Sequence, residues 1–119
     1  MITFRGVRKD DHTAVVMYQD GENGKPTILD PAPSLLLANH SPDGFEWGYL
    51  GSGPAQLALA LLFHSTGDAV KTREYYQRFK EEYVACWGRR WEITEATIKA
   101  WLNARVLEDE VGAIVEGVE

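Results

Sequence analysis

The chain has 119 residues, 45% of them hydrophobic and 25% charged, which is the composition of one domain spanning residues 1–119. Its net charge of -6 disfavours direct binding to nucleic acid, and Cys86, the one cysteine, excludes an internal disulfide framework and fits a reducing cytoplasm. The longest apolar run, residues 57–63, is far shorter than the ~20 residues that cross a bilayer, so we expect no membrane span.

The first third of the chain predicts short strands joined by turns. Two β-rich runs, residues 2–7 and 14–18, are separated by a polar segment, which is typical of two antiparallel strands. Asp-Gly and Asn-Gly pairs within residues 20–24 favour a tight reversal into a third strand over residues 27–29. Residues 35–37 are all leucine and fit either a short strand or a turn of helix.

An alternation of aromatic residues predicts a fourth strand. After a cluster of turn-forming residues at 39–43, Phe45, Trp47 and Tyr49 recur at every second position. Side chains at this spacing share one face of a strand. The pattern therefore predicts a strand over residues 45–49 with an aromatic stripe.

The next segment predicts a helix at the centre of the fold. The sequence GSGP at residues 51–54 is a strong helix start, because proline at a first helical position loses no needed hydrogen bond. Among residues 55–63 only Gln56 is polar, so a helix here is apolar around nearly its whole circumference. We therefore expect a buried central helix over residues 54–65.

Two further helices complete the predicted fold. Aromatic residues at spacings of three and four indicate an amphipathic helix over residues 68–87, and Thr94 is a cap for a helix over residues 94–105. Together the elements predict an α+β fold. An antiparallel sheet of three or four strands from the N-terminal half packs against three helices, one of them central and buried.

The acidic tail, residues 106–119, is ambiguous. Leu107, Val111 and Ile114 fit helical spacing, whereas two glycines and several β-branched residues favour fraying or an edge strand. The segment contains five acidic residues and no Lys or Arg, and so supplies most of the net charge of -6. Such a tail is an ordinary solubilising surface or a surface that docks on a basic groove.

Three blocks carry a resemblance to a known family: residues 35–62, YQRFKEEYV at 76–84 and WEITEATIKAWL at 91–102. Their most specific part is FEWGYLGSGPAQLALALL, residues 45–62. The chain resembles an uncharacterised domain-of-unknown-function family with members in bacteria, phages and plasmids. The resemblance implies a shared fold and a phage-like or mobile-element setting, and it transfers no catalytic residue.

The loop before the central helix is a candidate anion site. Free backbone N–H groups and the positive end of a helix dipole meet there, and the candidate ligand-binding residues are Ser52, Gly53 and Gln56. The loop has neither a P-loop ending nor a dinucleotide fingerprint. A tight turn with close backbone packing accounts for the same residues.

Other chemistry-bearing residues form no diagnostic pattern. His40, Asp43 and Glu46 are spaced three apart, and His64 follows on another predicted element, so a metal or acid–base site requires their convergence. Turn and capping hydrogen bonds explain them equally well. Cys86 fits a small core residue on the apolar side of its helix. We therefore predict no catalytic residues, metal or cofactor.

The chain has more aromatic residues than one inward face can hold, with four tryptophans and five tyrosines. Core filling explains most of them, and a contact patch for another protein explains the remainder. Tyr75 falls off the seam of its predicted helix. The candidate partner-binding residues are aromatic or acidic: Trp47, Tyr49, Tyr75, Trp91, Glu108, Asp109 and Glu110.

The sequence supports two functional hypotheses. The first is a non-enzymatic protein of phage or mobile-element type that binds another protein, in one version an inhibitor of a host defence complex whose acidic tail occupies a groove for nucleic acid. The second is a small domain that binds an anionic metabolite or nucleotide at residues 51–56. A concave pocket at that loop favours the ligand, whereas an apolar patch with an acidic rim favours the protein partner.

Overall fold

The structure, a computed structural model, consists of one antiparallel sheet and helices packed on one of its faces. It describes residues 1–117, with the backbone alone for residues 115–117. The described elements in chain order are β1 (Ile2–Arg8), β2 (Ala14–Asp20), β3 (Thr27–Ile28), α1 (Ala32–Leu37), α2 (Ser52–Thr66), α3 (Ala69–Glu82), a 3₁₀ turn (Val84–Cys86), β4 (Arg90–Thr94) and α4 (Glu95–Gly117). The predicted α+β class is confirmed.

The sheet, in the order β3-β2-β1-β4, is built on the hairpin of β1 and β2. The register of these strands sets Gly6 opposite Val16 and Phe4 opposite Tyr18. Phe4 and Val16 are buried under the helices while Arg5, between Phe4 and Gly6, faces solvent, as the two-residue period of a strand requires. The three strands predicted from the first third of the chain are confirmed.

The predicted strand over residues 45–49 is wrong, because these residues form a loop. Gly48 has a φ of +87°, which breaks an extended run, and its amide donates to the carbonyl of Val84. The indole N–H of Trp47 donates to the carbonyl of Gly88 at 2.7 Å. These contacts, rather than strand pairing, fix the loop.

The fourth strand is β4, from the C-terminal half, and not from the N-terminal half as predicted. It pairs antiparallel with β1, with Trp91 opposite Gly6. Trp91 and Ile93 are buried and Glu92 is exposed, so this short strand also follows the two-residue period. Because its partner β1 is more than eighty positions earlier in the chain, no local pattern indicated the pairing.

The central helix α2 is confirmed. No side chain from residue 55 to residue 62 is more than 5% exposed, and α1, α3 and α4 all contact the helix. It ends at Gly67, whose φ is +67° and whose amide donates to the carbonyl of Phe63 at 2.8 Å. The helix begins at Ser52, two residues before the predicted start.

The helix α3 is shorter than predicted. Asp68 caps it by accepting a hydrogen bond from the amide of Lys71 at 3.0 Å, but the helix ends at Glu82 instead of residue 87. Tyr83 leaves the helical conformation with φ -122° and ψ -67°, and the 3₁₀ turn follows. Cys86 is exposed in this turn, so its prediction as a core residue is wrong.

The helix α4 begins where the sequence indicated. The hydroxyl of Thr94 accepts a hydrogen bond from the amide of Thr97 at 3.1 Å and so caps the helix. Its buried face holds Ile98, Trp101 and Leu102.

The two ambiguous segments are both helical. α1 spans residues 32–37, and α4 continues through the acidic tail to residue 117, whereas 118 and 119 lie outside the described residues. The edge strand considered for the tail is therefore wrong over the described part. Within residues 1–117, no helix is both long and apolar enough to cross a bilayer.

We expect Gly6→Ala to lower the free energy of unfolding by about 2 kcal/mol, because the new methyl group overpacks the core. A Cβ at Gly6 would lie 2.1 Å from Nε1 of Trp91, whose ring also stacks on Trp87 at a centroid distance of 4.1 Å. Urea denaturation measures the change. Gly88→Ala is the control, because a Cβ there meets nothing within 4 Å. Equal midpoints for the two variants would contradict the expectation.

Candidate functional site

The predicted anion site before α2 does not assemble. Of the three candidate ligand-binding residues Ser52 alone is exposed, while Gly53 and Gln56 are buried. The carbons of Glu46 cover Gly53, where an added Cβ would lie 2.5 Å from Cβ of Glu46. Gly53 therefore permits close packing, and its prediction as a ligand contact, with that of Gln56, is wrong.

Gln56 is instead the polar anchor of the central helix. Its Oε1 accepts hydrogen bonds from the backbone amides of His40 at 2.8 Å and Ser41 at 3.2 Å. Its Nε2 donates to Oγ of Ser34 at 2.9 Å, and that hydroxyl donates to the carbonyl of Pro31. One buried amide thus ties α1 and the loop after it to α2.

Gln56→Leu should lower the free energy of unfolding by about 2 kcal/mol, since it leaves two partly buried backbone amides without an acceptor. Gln77→Leu, at an exposed position of α3, is the matched control and should stay within about 0.5 kcal/mol of the wild type. Urea unfolding followed by circular dichroism compares them. A loss for Gln56→Leu no larger than for the control would rule out the anchoring role.

A separate apolar cavity of about 250 Å³ lies near the other end of α2. Its lining residues are Leu29, Asp30, Pro33, Ser34, Ala60, Phe63, His64 and Gly67. Nearly all of the surface that these residues expose to the cavity is apolar. The cavity therefore does not replace the anion site that the sequence predicted.

The candidate metal or acid–base residues do not converge. Nε2 of His40 lies 2.7 Å from the hydroxyl of Tyr76, and the ring of His64 packs 4.6 Å from the ring of Tyr18. Glu46 forms a two-point ion pair with Arg8. The described residues contain no group of three or more His, Cys, Asp or Glu side chains placed to hold a metal ion.

The predicted aromatic contact surface is largely buried. Trp47, Tyr75 and Trp91 are at most 7% exposed, so their prediction as surface residues is wrong. Trp47 meets Trp91 edge to face at 5.7 Å, and both belong to the core. Tyr49 is the exception, because 51% of it is exposed.

The predicted acidic residues lie on the surface of α4. Glu108, Asp109 and Glu110 are all exposed, and Glu108 forms an ion pair with Arg105 one turn earlier at 2.9 Å. Consecutive residues of a helix point in different directions, so the three do not share one face. The direction of each side chain therefore follows from the contacts of that residue alone.

The polar side of the second half of α4 faces α3. The hydroxyl of Tyr75 donates to Asp109 at 2.6 Å, and the guanidinium of Arg78 lies 3.4 Å from the same carboxylate. Arg105 reaches Glu82 at 3.4 Å. Val106 packs against the core, and beyond it hydrogen bonds and ion pairs, rather than a continuous apolar seam, hold this half of the helix against α3.

The apolar side of the same half faces solvent. Leu107, Val111 and Ile114, here called the α4 stripe, are 59%, 50% and 67% exposed. Their spacings of four and three residues align them along one face of the helix. The usual amphipathic arrangement is therefore reversed. The spacing is visible in the sequence, but the direction of the face is not.

The contact between α3 and α4 raises the pKa of Tyr75 to about 12. The first cause is the hydrogen bond to Asp109, which the neutral hydroxyl donates and the phenolate cannot. Burial of the ring acts in the same direction. In the unfolded chain the phenol ionises near pH ~10. Between these values the folded protein keeps a proton that the unfolded chain loses, so stability falls as pH rises.

Tyr75→Phe should be about 1 kcal/mol less stable than wild type at about pH 8 because it loses this hydrogen bond. From about pH 9 to about pH 11 the unfolding free energy of the wild type should fall more steeply than that of Tyr75→Phe. Urea titrations at both ends of this range measure the two slopes. The control is Tyr49→Phe, at an exposed tyrosine. Equal slopes in wild type and Tyr75→Phe would contradict the assignment.

The fold and the site together define a small α+β protein whose last helix presents apolar side chains to solvent. The chain belongs to a family of unknown function, DUF6166, whose model matches residues 4–104. No curated protein and no solved structure matches it. The matched residues include the central helix and end before the α4 stripe.

Proposed function

We propose that the protein binds another protein, without catalysing a reaction, through the α4 stripe. The observation that carries the proposal is the reversed orientation of α4, with Asp109 turned to α3 and Leu107, Val111 and Ile114 turned to solvent. Aligned apolar side chains on an open helix face are typical of helices that enter a partner's groove.

The free energy available at the α4 stripe favours a contact role. Full burial of one Leu, Val or Ile side chain stabilises a complex by roughly 1.5–3 kcal/mol. With half or more of each side chain exposed, a partner that covers all three gains about 3 kcal/mol. The isolated protein does not gain this free energy, because the three side chains stay exposed to solvent.

Charge supports a basic partner. Residues 106–119 contain five acidic side chains and no Lys or Arg, and the whole chain carries a net charge of -6. Lys and Arg beside an apolar groove complement such a surface, speed the encounter and discriminate against acidic competitors. The proposed partner therefore combines an apolar contact with a basic rim.

A narrower form of the proposal names the cellular context and the kind of partner. In a phage-like or mobile-element context in the cytoplasm, the basic partner is a host defence complex and the acidic helix occupies its groove for nucleic acid. The arrangement of charge on α4 supports this form. Competition between the protein and an oligonucleotide for the recovered complex tests it directly.

The test of the proposed function compares two leucine substitutions. Leu107→Glu places a charge in the α4 stripe, and Leu36→Glu makes the same change at a leucine of α1 that is 84% exposed. Each form of the protein is cross-linked in a lysate of the cells in which it naturally occurs, and mass spectrometry identifies the captured proteins. We expect wild type and Leu36→Glu to recover the same partner. With Leu107→Glu its recovery should fall at least tenfold.

Two results count against the proposed function. One is recovery of the same partner at the same level with both variants. The other is the absence of any enriched protein at low and at physiological salt. Melting temperatures of both variants should stay near the wild-type value, because both positions are exposed.

A further inference from the structure

We propose that the occupant of the α4 stripe is a single amphipathic α-helix with Lys and Arg along its flanks, packed against α4 as in a two-stranded coiled coil. This inference rests on the proposed function and names the partner's structure and chemistry. It is carried by the spacing of apolar residues along α4, by their shapes and by the charges beside them.

The spacing extends the α4 stripe into a heptad pattern. Ala100, Ala104, Leu107, Val111 and Ile114 follow one another at steps of four, three, four and three residues. This period of about 3.5 residues keeps a seam on one line against a second, supercoiled helix. The seam is open, since Ala104 is half-buried and the other four residues are exposed.

The sizes of the side chains suit a helix better than a flat surface. Alanines at the start of the seam, where α4 lies on the core, permit close approach, and the larger residues follow towards the C-terminus. Val111 at an a position and Leu107 at a d position are the residue types that two-stranded coiled coils favour there, and Ile114 occupies the next d position. From residue 100 to residue 114 the seam is about 21 Å long, or about four turns.

The charges beside the seam select the partner. Glu108 and Glu110 lie on its two sides, next to Leu107 and Val111, at positions that flank the seam of a coiled coil. Glu108 already pairs with Arg105 at 2.9 Å and with Arg78 at 3.9 Å, whereas Glu110 takes part in none of the ion pairs among the described residues. Lys or Arg on the partner complements Glu110 first. A second copy of this chain instead brings another set of carboxylates with no Lys or Arg among residues 106–119. A basic helix is therefore the better occupant.

The experiment uses synthetic helical probes and the intact protein. The basic probe is a labelled peptide of about 21 residues, or three heptads, with Val and Leu at the seam and Lys at the flanks. The matched probe has Glu at the flanks. By fluorescence anisotropy the basic probe should bind at least tenfold more tightly, and its affinity should fall as salt rises.

Two valine variants separate seam contact from general charge attraction. Val111→Gln, in the α4 stripe, should weaken binding of the basic probe about tenfold. Val70→Gln, at a valine of α3 that is 72% exposed, should leave it unchanged. Leu107→Gln is the second seam variant and should reproduce the loss. None of the three changes the net charge.

Three outcomes would overturn the inference. They are equal binding of the acidic and basic probes, equal binding of the basic probe by wild type and Val111→Gln, and a dimer in sedimentation equilibrium that Val111→Gln dissociates. Each can occur while the lysate partner is still lost with Leu107→Glu, so failure here is distinguishable from failure of the proposed function.

Discussion

A helix that is apolar around its whole circumference must be covered on every side, and in this chain α2 imposes that requirement on everything else. The leucines of α2 join Phe4 and Val16 of the sheet in one core, with α1, α3 and α4 on the remaining sides. α1, α3 and α4 are therefore each placed by the face of α2 that they cover. Losing any one of them would expose side chains that no local rearrangement can cover again.

Polar side chains then fix the loops around this helix. Gln56 is buried among leucines, so its amide needs partners, and the loop beginning at His40 supplies them. In the same way Arg8 pairs with Glu46 and lies 4.8 Å from the centre of the Trp47 ring, which fastens residues 45–49 of the same connection to β1. The long connection between α1 and α2 is thus defined without a strand.

Elements governed by local pattern could be predicted from the sequence, among them α2 and the cap at Thr94, and with them the α+β class. The strand over residues 45–49 was wrong because alternation of aromatic residues also occurs in a loop whose side chains are anchored one by one. β4 depends on a partner far away in the chain. For the candidate site, the spacing of Leu107, Val111 and Ile114 was visible, but a periodic pattern does not show which side of a helix meets the body of the protein. That direction is decided by Tyr75 and Asp109, which belong to different helices.

The attachment of α4 also gives the helix two unequal halves. Ile98, Trp101 and Leu102 hold the first half in the core, while Val106, one part-buried hydrogen bond and exposed ion pairs hold the second. Opening a segment costs free energy in proportion to the buried contacts that it gives up. We therefore expect the second half to open before the core does and its amide protons to exchange with solvent sooner than those of the first. The exchange rates of residues 107–114 then report how long these turns of the helix stay folded.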